Sequence, residues 1–375
     1  MMTDFPIKTP VMRRFGLSHP IFGFSHSPQA VAALTNSGGF GVYGATRRFG
    51  HEIREELAWI RSQVGDRPFG VDLVVPANMP ANNDPETVKA TLPEGHKAFV
   101  RKIAEKYNVP ASDRPGMRTR FLRSQEILDA QVAAVADAEV DLVALGIGSP
   151  PDLVRRLKEG GKTTLALVGQ EKHAVRALEA GVDLLVAQGY DAGAHTGPIG
   201  TFSLVPQICR VAGDVPVLAA GGVATGAHLA AALALGAQAT WIGTAFLLTH
   251  ENLPHMSRTQ AEALMASGFS DTVVTRADSG KTFRQIRSAW SDEWAAPDAP
   301  SPLGHPEQDM LVGDLLGAII EHEIRPLAHI GAGQGVGWFS QVRSVAEVVN
   351  KFSGDAAAII TGLSANLPER GTVGQ

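Results

Sequence analysis

A chain of 375 residues, 44% of them hydrophobic, can bury a core large enough for one barrel-sized domain and an accessory region. Its 33 basic and 38 acidic residues leave a net charge of -5, spread without long single-sign blocks, which argues against a nucleic-acid or membrane-surface partner. The single cysteine, Cys209, excludes an intrachain disulfide and a paired-thiol metal or redox site.

From the amino terminus, residues 1–14 lack the apolar core of a signal peptide. Eight short β-rich runs follow, at 20–24, 40–43, 69–75, 141–145, 164–168, 183–187, 217–220 and 239–242. Helical spacing fills the gaps at 29–36, 51–64, 124–138, 151–159, 171–180 and 225–235. Gly38, Gly160, Gly181 and Gly236 stand where left-handed helix caps are wanted. Strands alternating with helices predict a (β/α)₈ TIM barrel over 15–248, with a doubly wound open sheet as the alternative. The apolar stretch 215–248 contains His228, Gln238 and several glycines, so it reads as strand, helix, strand rather than a membrane span. A cytoplasmic location is the expectation.

Two segments break the repeat. Residues 76–123, with prolines at 80, 85, 93, 110 and 115, are too long for a simple connection and predict an excursion or lid at the strand-end face. Residues 249–375 predict a mainly helical accessory region leaning over the barrel mouth, with an irregular Pro-rich stretch at 297–306.

The chemistry gathers in loops after the later strands. Gln188-Gly189-Tyr190-Asp191-Ala192-Gly193-Ala194-His195-Thr196-Gly197 joins a buried strand to a glycine-rich loop with one imidazole, a group suited to taking a proton from a carbon acid. Gly221-Gly222 and Gly243-Thr244 end the last two strands and have the composition of a phosphate cradle. His26, after the first strand, is a second imidazole facing the mouth, while His173 and His228 fall on helices and read as structural. Gly39-Phe40-Gly41-Val42-Tyr43-Gly44 matches a dinucleotide fingerprint formally, but it runs through a predicted strand and is rejected. Gly331-Ala332-Gly333-Gln334-Gly335 reads as a flexible loop with Gln334 as a candidate donor to a ligand. No cluster has metal-ligand spacing, and no nucleophile elbow is present.

Together with Phe69-Gly70-Val71-Asp72-Leu73, these loops resemble the nitronate monooxygenase family of FMN-dependent TIM barrels, over 20–335. The resemblance implies that Gln188 and Gly193 contact FMN, that Gly222 and Trp241, Ile242, Gly243 and Thr244 hold its phosphate, and that His195 is the catalytic base. Gly23, Phe24, Asp72, Gly221 and Gln334 complete the implied cofactor set. His26 and Lys281 are assigned to the substrate side, with Ser279, Arg284 and Arg287 in the same region. The implied reaction oxidises an alkyl nitronate or nitroalkane with O2 to a carbonyl compound and nitrite. The implied partners are a small-molecule substrate and O2, with a homodimer as the candidate assembly.

This chain departs from the family pattern at Asp191 for glutamate, Ala194 for glycine and Asp72 for asparagine. A carboxylate beside a flavin ring disfavours its anionic reduced form, so Asp72 points elsewhere, is protonated, or alters the redox chemistry. Two other functions stay open at this stage: an NAD(P)H-dependent enoyl-thioester or quinone reductase on the same fold, and a non-catalytic flavin-binding barrel.

Overall fold

The computed structural model describes residues 5–76 and 79–366. Parts of the expected excursion (77–78), of the accessory region (367–375) and of the amino terminus (1–4) lie outside them. The chain opens with α1 (Pro10–Phe15), β1 (Ile21–Ser25), α2 (Pro28–Asn36), β2 (Phe40–Gly44), α3 (Gly50–Val64) and β3 (Gly70–Val74). Next come α4 (Pro85–Thr91), α5 (Glu94–Lys106), α6 (Gln125–Asp137), β4 (Leu142–Gly146), α7 (Pro151–Glu159), β5 (Thr163–Val168) and α8 (Glu171–Glu179). Then follow β6 (Leu184–Gln188), β7 (Ala194–His195), α9 (Thr201–Ala212), β8 (Val217–Ala220), α10 (Gly226–Ala234) and β9 (Ala239–Ile242). The remainder holds α11 (Arg258–Ala266), β10 (Thr272–Thr275), β11 (Phe283–Ile286), α12 (Ala289–Trp294), α13 (Glu307–Glu321) and α14 (Val345–Ala365).

Strands β1 to β6, β8 and β9 close into an all-parallel barrel, with β9 pairing back onto β1. That pairing excludes the open sheet. Each of the eight expected strands is present within one residue at either end. Their near-continuous apolar sequences follow from burial on both faces. In β3, for example, Val71 and Leu73 pack outward against helices, so period-two alternation turns Asp72 inward. At the amino-terminal end, Phe22 and Phe40 stack at 4.5 Å, and Phe15 of α1 meets Phe40 edge-on at 4.9 Å. This aromatic plug leaves the carboxyl ends of the strands as the open mouth.

Helix starts follow capping chemistry. The Ser27 and Ser124 side chains accept from Ala30 N and Ile127 N at the starts of α2 and α6. Of the predicted glycine caps, Gly38, Gly181 and Gly236 take positive φ. Gly160 does not, and Gly161, with φ 76°, turns the chain instead.

The excursion is folded rather than a bare loop. Its α4 and α5 pack on α13 around Leu92, Ile103, Trp290, Trp294 and Leu316, so segments far apart in sequence form one cap with its own small core. This cap is not wholly helical. The hairpin β10–β11 runs antiparallel and adds β7 at its edge, setting Phe283 opposite His195. Helix α14 folds back onto α10, where a side chain at Gly226 would come within 2.5 Å of Asp355. Among the described residues no helix is long and apolar enough to cross a membrane.

Candidate active site

Between the barrel mouth and the cap lies a cavity of about 1400 Å³. A pocket for one small ligand spans roughly 300–1,000 Å³, so this one has room for a cofactor and a substrate together.

One wall is a cradle of backbone. Gly221 and Gly222 adopt φ 98° and 70°, a region that only glycine enters without strain. A Cβ on Gly221 would meet Thr201 Oγ1 at 2.7 Å, and one on Gly222 would meet Asp191 Cβ at 3.2 Å. The loop runs into α10, whose N-cap Thr225 bonds His228 Nδ1 at 2.8 Å and makes no side-chain cap to the helix, and whose first residue, Gly226, is packed against α14. The second half is Gly243 and the 3-10 turn Thr244–Phe246. The nearest atom to a Cβ at Gly243 is Phe24 Cδ1 at 3.9 Å, so the space beside it is open. The positive-φ backbone at Gly221 and Gly222 and the open backbone at Gly243 line one wall of the cavity, and loop backbone of this kind suits close approach of an anion. Phe24 and Trp241 lie face to face at 5.9 Å, an apolar wall beside the cradle.

The Gln188 to Gly197 loop is fastened at every turn. Gln188 Nε2 donates to the His195 carbonyl at 2.5 Å. Asp191 Oδ2 accepts from Thr201 N at 2.7 Å, so the shorter carboxylate anchors the loop to the start of α9. Gly193 lies where a Cβ would come within 2.7 Å of the Ala332 carbonyl carbon. The 331–335 segment is therefore not a flexible loop. Gln334 N donates to the Asp191 carbonyl at 3.0 Å and Gly333 N to Thr244 Oγ1 at 2.9 Å, locking it between the two loops. Ala194 takes φ 61°, a left-handed conformation strained for a residue with a Cβ. Ala194→Gly is expected to raise the unfolding free energy by about 0.5–1 kcal/mol, the relief of strain exceeding the extra freedom of unfolded glycine. Urea unfolding checks this, and an unchanged or lower midpoint would show that the turn is unstrained.

His195 donates Nδ1–H to the Thr282 carbonyl at 3.1 Å, which leaves the Nε2 lone pair free. Burial, reinforced by Arg118 and Lys281, lowers its pKa to about 4, so the ring is neutral at pH 7. The Phe283 edge holds it at 5.2 Å. His26 also lines the cavity. Its Nδ1 donates to the Gly44 carbonyl at 2.7 Å, and burial lowers its pKa as well.

Opposite the cradle is a charged wall that sequence reasoning missed. Asp309 pairs with Arg47 at 2.6 Å and Arg118 at 2.8 Å; Asp278 pairs with His329 at 3.2 Å and Arg118 at 3.4 Å and accepts from Trp290 Nε1 at 2.9 Å. These cations hold Asp278 at about 2 despite its burial and keep Asp309 well below the usual carboxylate range. Arg123 donates to the Val74 and Thr46 carbonyls, both at 3.2 Å. Among the described residues neither Arg123 nor Lys281 has a carboxylate within ion-pair distance, so the wall carries excess positive charge. Asp72 faces the same space, and burial pushes its carboxyl up to about 8. Of the three alternatives for this residue, protonation is the one the structure supports. The available signal was the run of arginines at 114, 118, 120 and 123 in the Pro-rich excursion.

The other expected site residues divide. Gln188, Gly193, Gly221, Gly222, Trp241, Ile242, Gly243, Thr244, Phe24, Ser279 and Lys281 all line the cavity. Gly23 does not; a Cβ there would strike Leu34 at 2.2 Å, so its smallness serves the packing of α2. The Gln334 side chain is exposed outside the cavity. Arg284 turns away to donate to the Tyr190 carbonyl and lies over the Tyr190 ring at 4.4 Å, and Arg287 is exposed beside Asp292.

A family model described as nitronate monooxygenase matches residues 6–355. A Mycobacterium tuberculosis protein, named as a monooxygenase without a substrate, is 38% identical over 362 residues, 92% of this chain and 95% of its own. The structure of a nitroalkane oxidase from Streptomyces ansochromogenes gives a TM-score of 0.80 at 28% identity, covering 94% of this chain and 99% of that one. FabK from Thermotoga maritima gives 0.73 at 25% identity over 96% and 100%. With the match running through the barrel, the cradle and the cap alike, the chain belongs to the nitronate monooxygenase family of flavin-dependent oxidoreductases.

Proposed function

We propose that this protein is an FMN-dependent nitronate monooxygenase that converts alkyl nitronates, or nitroalkanes after loss of a proton, to carbonyl compounds and nitrite. The observation that carries the reading is His195, a neutral imidazole with its Nδ1–H committed to Thr282 and its Nε2 free in a cavity beside a phosphate cradle. The residues fit FMN: the amides around Gly221, Gly222, Gly243 and Thr244 suit its phosphate, and Gln188, Phe24, Trp241 and Asp72 surround the space for its ring. Bound FMN supplies the electron acceptor and the site of oxygen reduction. The chain supplies the rest. His195 Nε2 takes the substrate α-proton, and the cationic wall at Arg123 and Lys281 suits the anion that remains. The cap shields both from bulk water, which strengthens these electrostatic contacts.

The likeness to FabK favours a second reading, a reductase fed by NAD(P)H. Product analysis separates them. With ethyl nitronate in air, oxygen uptake and nitrite release are expected in step, with no need for a nicotinamide. Nicotinamide-dependent turnover without nitrite would move the function to the reductase.

A further inference from the structure

Among the described residues, the Asp72 carboxyl has no hydrogen-bond partner. It sits in the middle of β3, is 6% exposed and lines the cavity, and its Oδ1 is sequestered without a hydrogen-bond partner. Arg123 is close enough to be felt, yet its guanidinium donates to the Val74 and Thr46 carbonyls and makes no hydrogen bond to Asp72. The register partner of Asp72 on β2 is Gly44, whose carbonyl is taken by His26 Nδ1. A carboxylate buried in this way is strongly disfavoured, so the group carries its proton. A buried O–H without an acceptor is itself unfavourable. No carbonyl among the described residues accepts from the Asp72 carboxyl, which lines the cavity, so what fills the cavity is the available source of an acceptor.

We propose that Asp72 acts as a hydrogen-bond donor to an acceptor atom of the flavin ring, coupling its protonation to flavin affinity and to the flavin reduction potential. The inference rests on the flavin occupying this cavity. Asp72 is a cofactor-tuning residue in this account, separate from the base His195. A neutral acid donates to a ring nitrogen or carbonyl and favours negative charge developing there, whereas the same group ionised repels it. Several charged or titratable groups share the cavity with Asp72, and of these Arg123 is the one that acts on it. Arg47 and His26 come from the loops after β2 and β1, Arg118 and Arg123 from the excursion, and Lys281, His305 and Asp309 from the cap. Arg47 and Arg118 are bound by Asp309, and the neutral histidines add nothing. Burial therefore outweighs the remaining cations and keeps the proton on Asp72.

The test uses the full chain stripped of flavin, with FMN as the probe. In the flavin-free protein near neutral pH, difference infrared spectra of wild type against Asp72→Asn should show a protonated carboxyl band that disappears well above pH 8. FMN affinity, read by fluorescence quenching, should weaken in wild type between about pH 6.5 and pH 9.5. Each pKa unit by which bound FMN raises Asp72 weakens binding about tenfold above pH 8. Asn, which donates without titrating, should give a flat profile and a reduction potential without the alkaline fall of the wild type. A wild-type profile identical to that of Asp72→Asn, or no carboxyl band, would overturn the role of Asp72 while leaving the flavin in place. Failure of both proteins to bind FMN at any pH would overturn the proposal together with the cofactor reading. The infrared measurement on wild type stands even if the variant folds poorly.

Discussion

His195→Asn is expected to lower turnover of a neutral nitroalkane roughly 10²- to 10⁴-fold, the range supplied by a positioned general base, while leaving the preformed nitronate much less affected. The reason is the division of labour between the two ring nitrogens. Nδ1–H is bonded to the Thr282 carbonyl, and an asparagine amide can keep a donor on that side, so the loop stays anchored. What is lost is the Nε2 lone pair. A nitronate has already surrendered its proton and does not need the base. Because the folded pKa is about 4, lowered by burial, the ring binds a proton only in acid, so wild-type activity on nitroalkanes should stay flat from neutral pH down to about 5 and then fall. Stopped-flow comparison of nitroethane with ethyl nitronate checks both features. Equal losses on the two substrates would make His195 a positioning residue, and no loss would remove it from the chemistry.

Asp309→Ala should destabilise the fold by about 3 kcal/mol or more, because it strips the counterion from two guanidiniums at the heart of the cap. Asp309 is 1% exposed and holds Arg47 and Arg118 at once. Those arginines come from a barrel loop and from the excursion, while Asp309 comes from α13, so this carboxylate joins three separate segments. The pH dependence has a definite sign. Asp309 and Asp278 have folded pKa values below an unfolded value near 3.9, so their contribution is complete above about pH 4 and is lost as pH falls toward 2. Guanidinium unfolding at pH 7 and pH 3 should show a large gap between wild type and variant that narrows in acid. A gap under about 1 kcal/mol at pH 7 would mean the network relaxes or takes up a replacement anion.

The barrel was legible because all-parallel strands announce themselves as short apolar runs, and the loops after β6, β8 and β9 carry glycines that line the cavity. Gly221, Gly222 and Gly243 could be placed at the barrel mouth from sequence for that reason. Gly23 lies outside the cavity lining, and a glycine that admits Leu34 looks the same in sequence as one that admits a ligand. The role of Thr282 could not be read, since it depends on a hairpin pairing with a two-residue strand 87 residues away. Nor could the network of Arg47, Arg118, Asp278 and Asp309, whose members lie on four segments with no common motif. Buried ion pairs of this kind are set by tertiary packing and leave no periodic trace. Asp72 stands between these cases: the sequence raised the conflict of an acid beside a flavin, and only its burial and unpartnered oxygen indicated how it resolves.

The central claim, that a flavin in this cavity takes electrons from a nitronate, is tested most directly by anaerobic titration of the purified protein while the visible flavin absorbance is followed. Ethyl nitronate should bleach the flavin, and NADH and NADPH should leave it oxidised. Bleaching by a nicotinamide with no response to the nitronate would contradict the account and assign the cavity to a reductase.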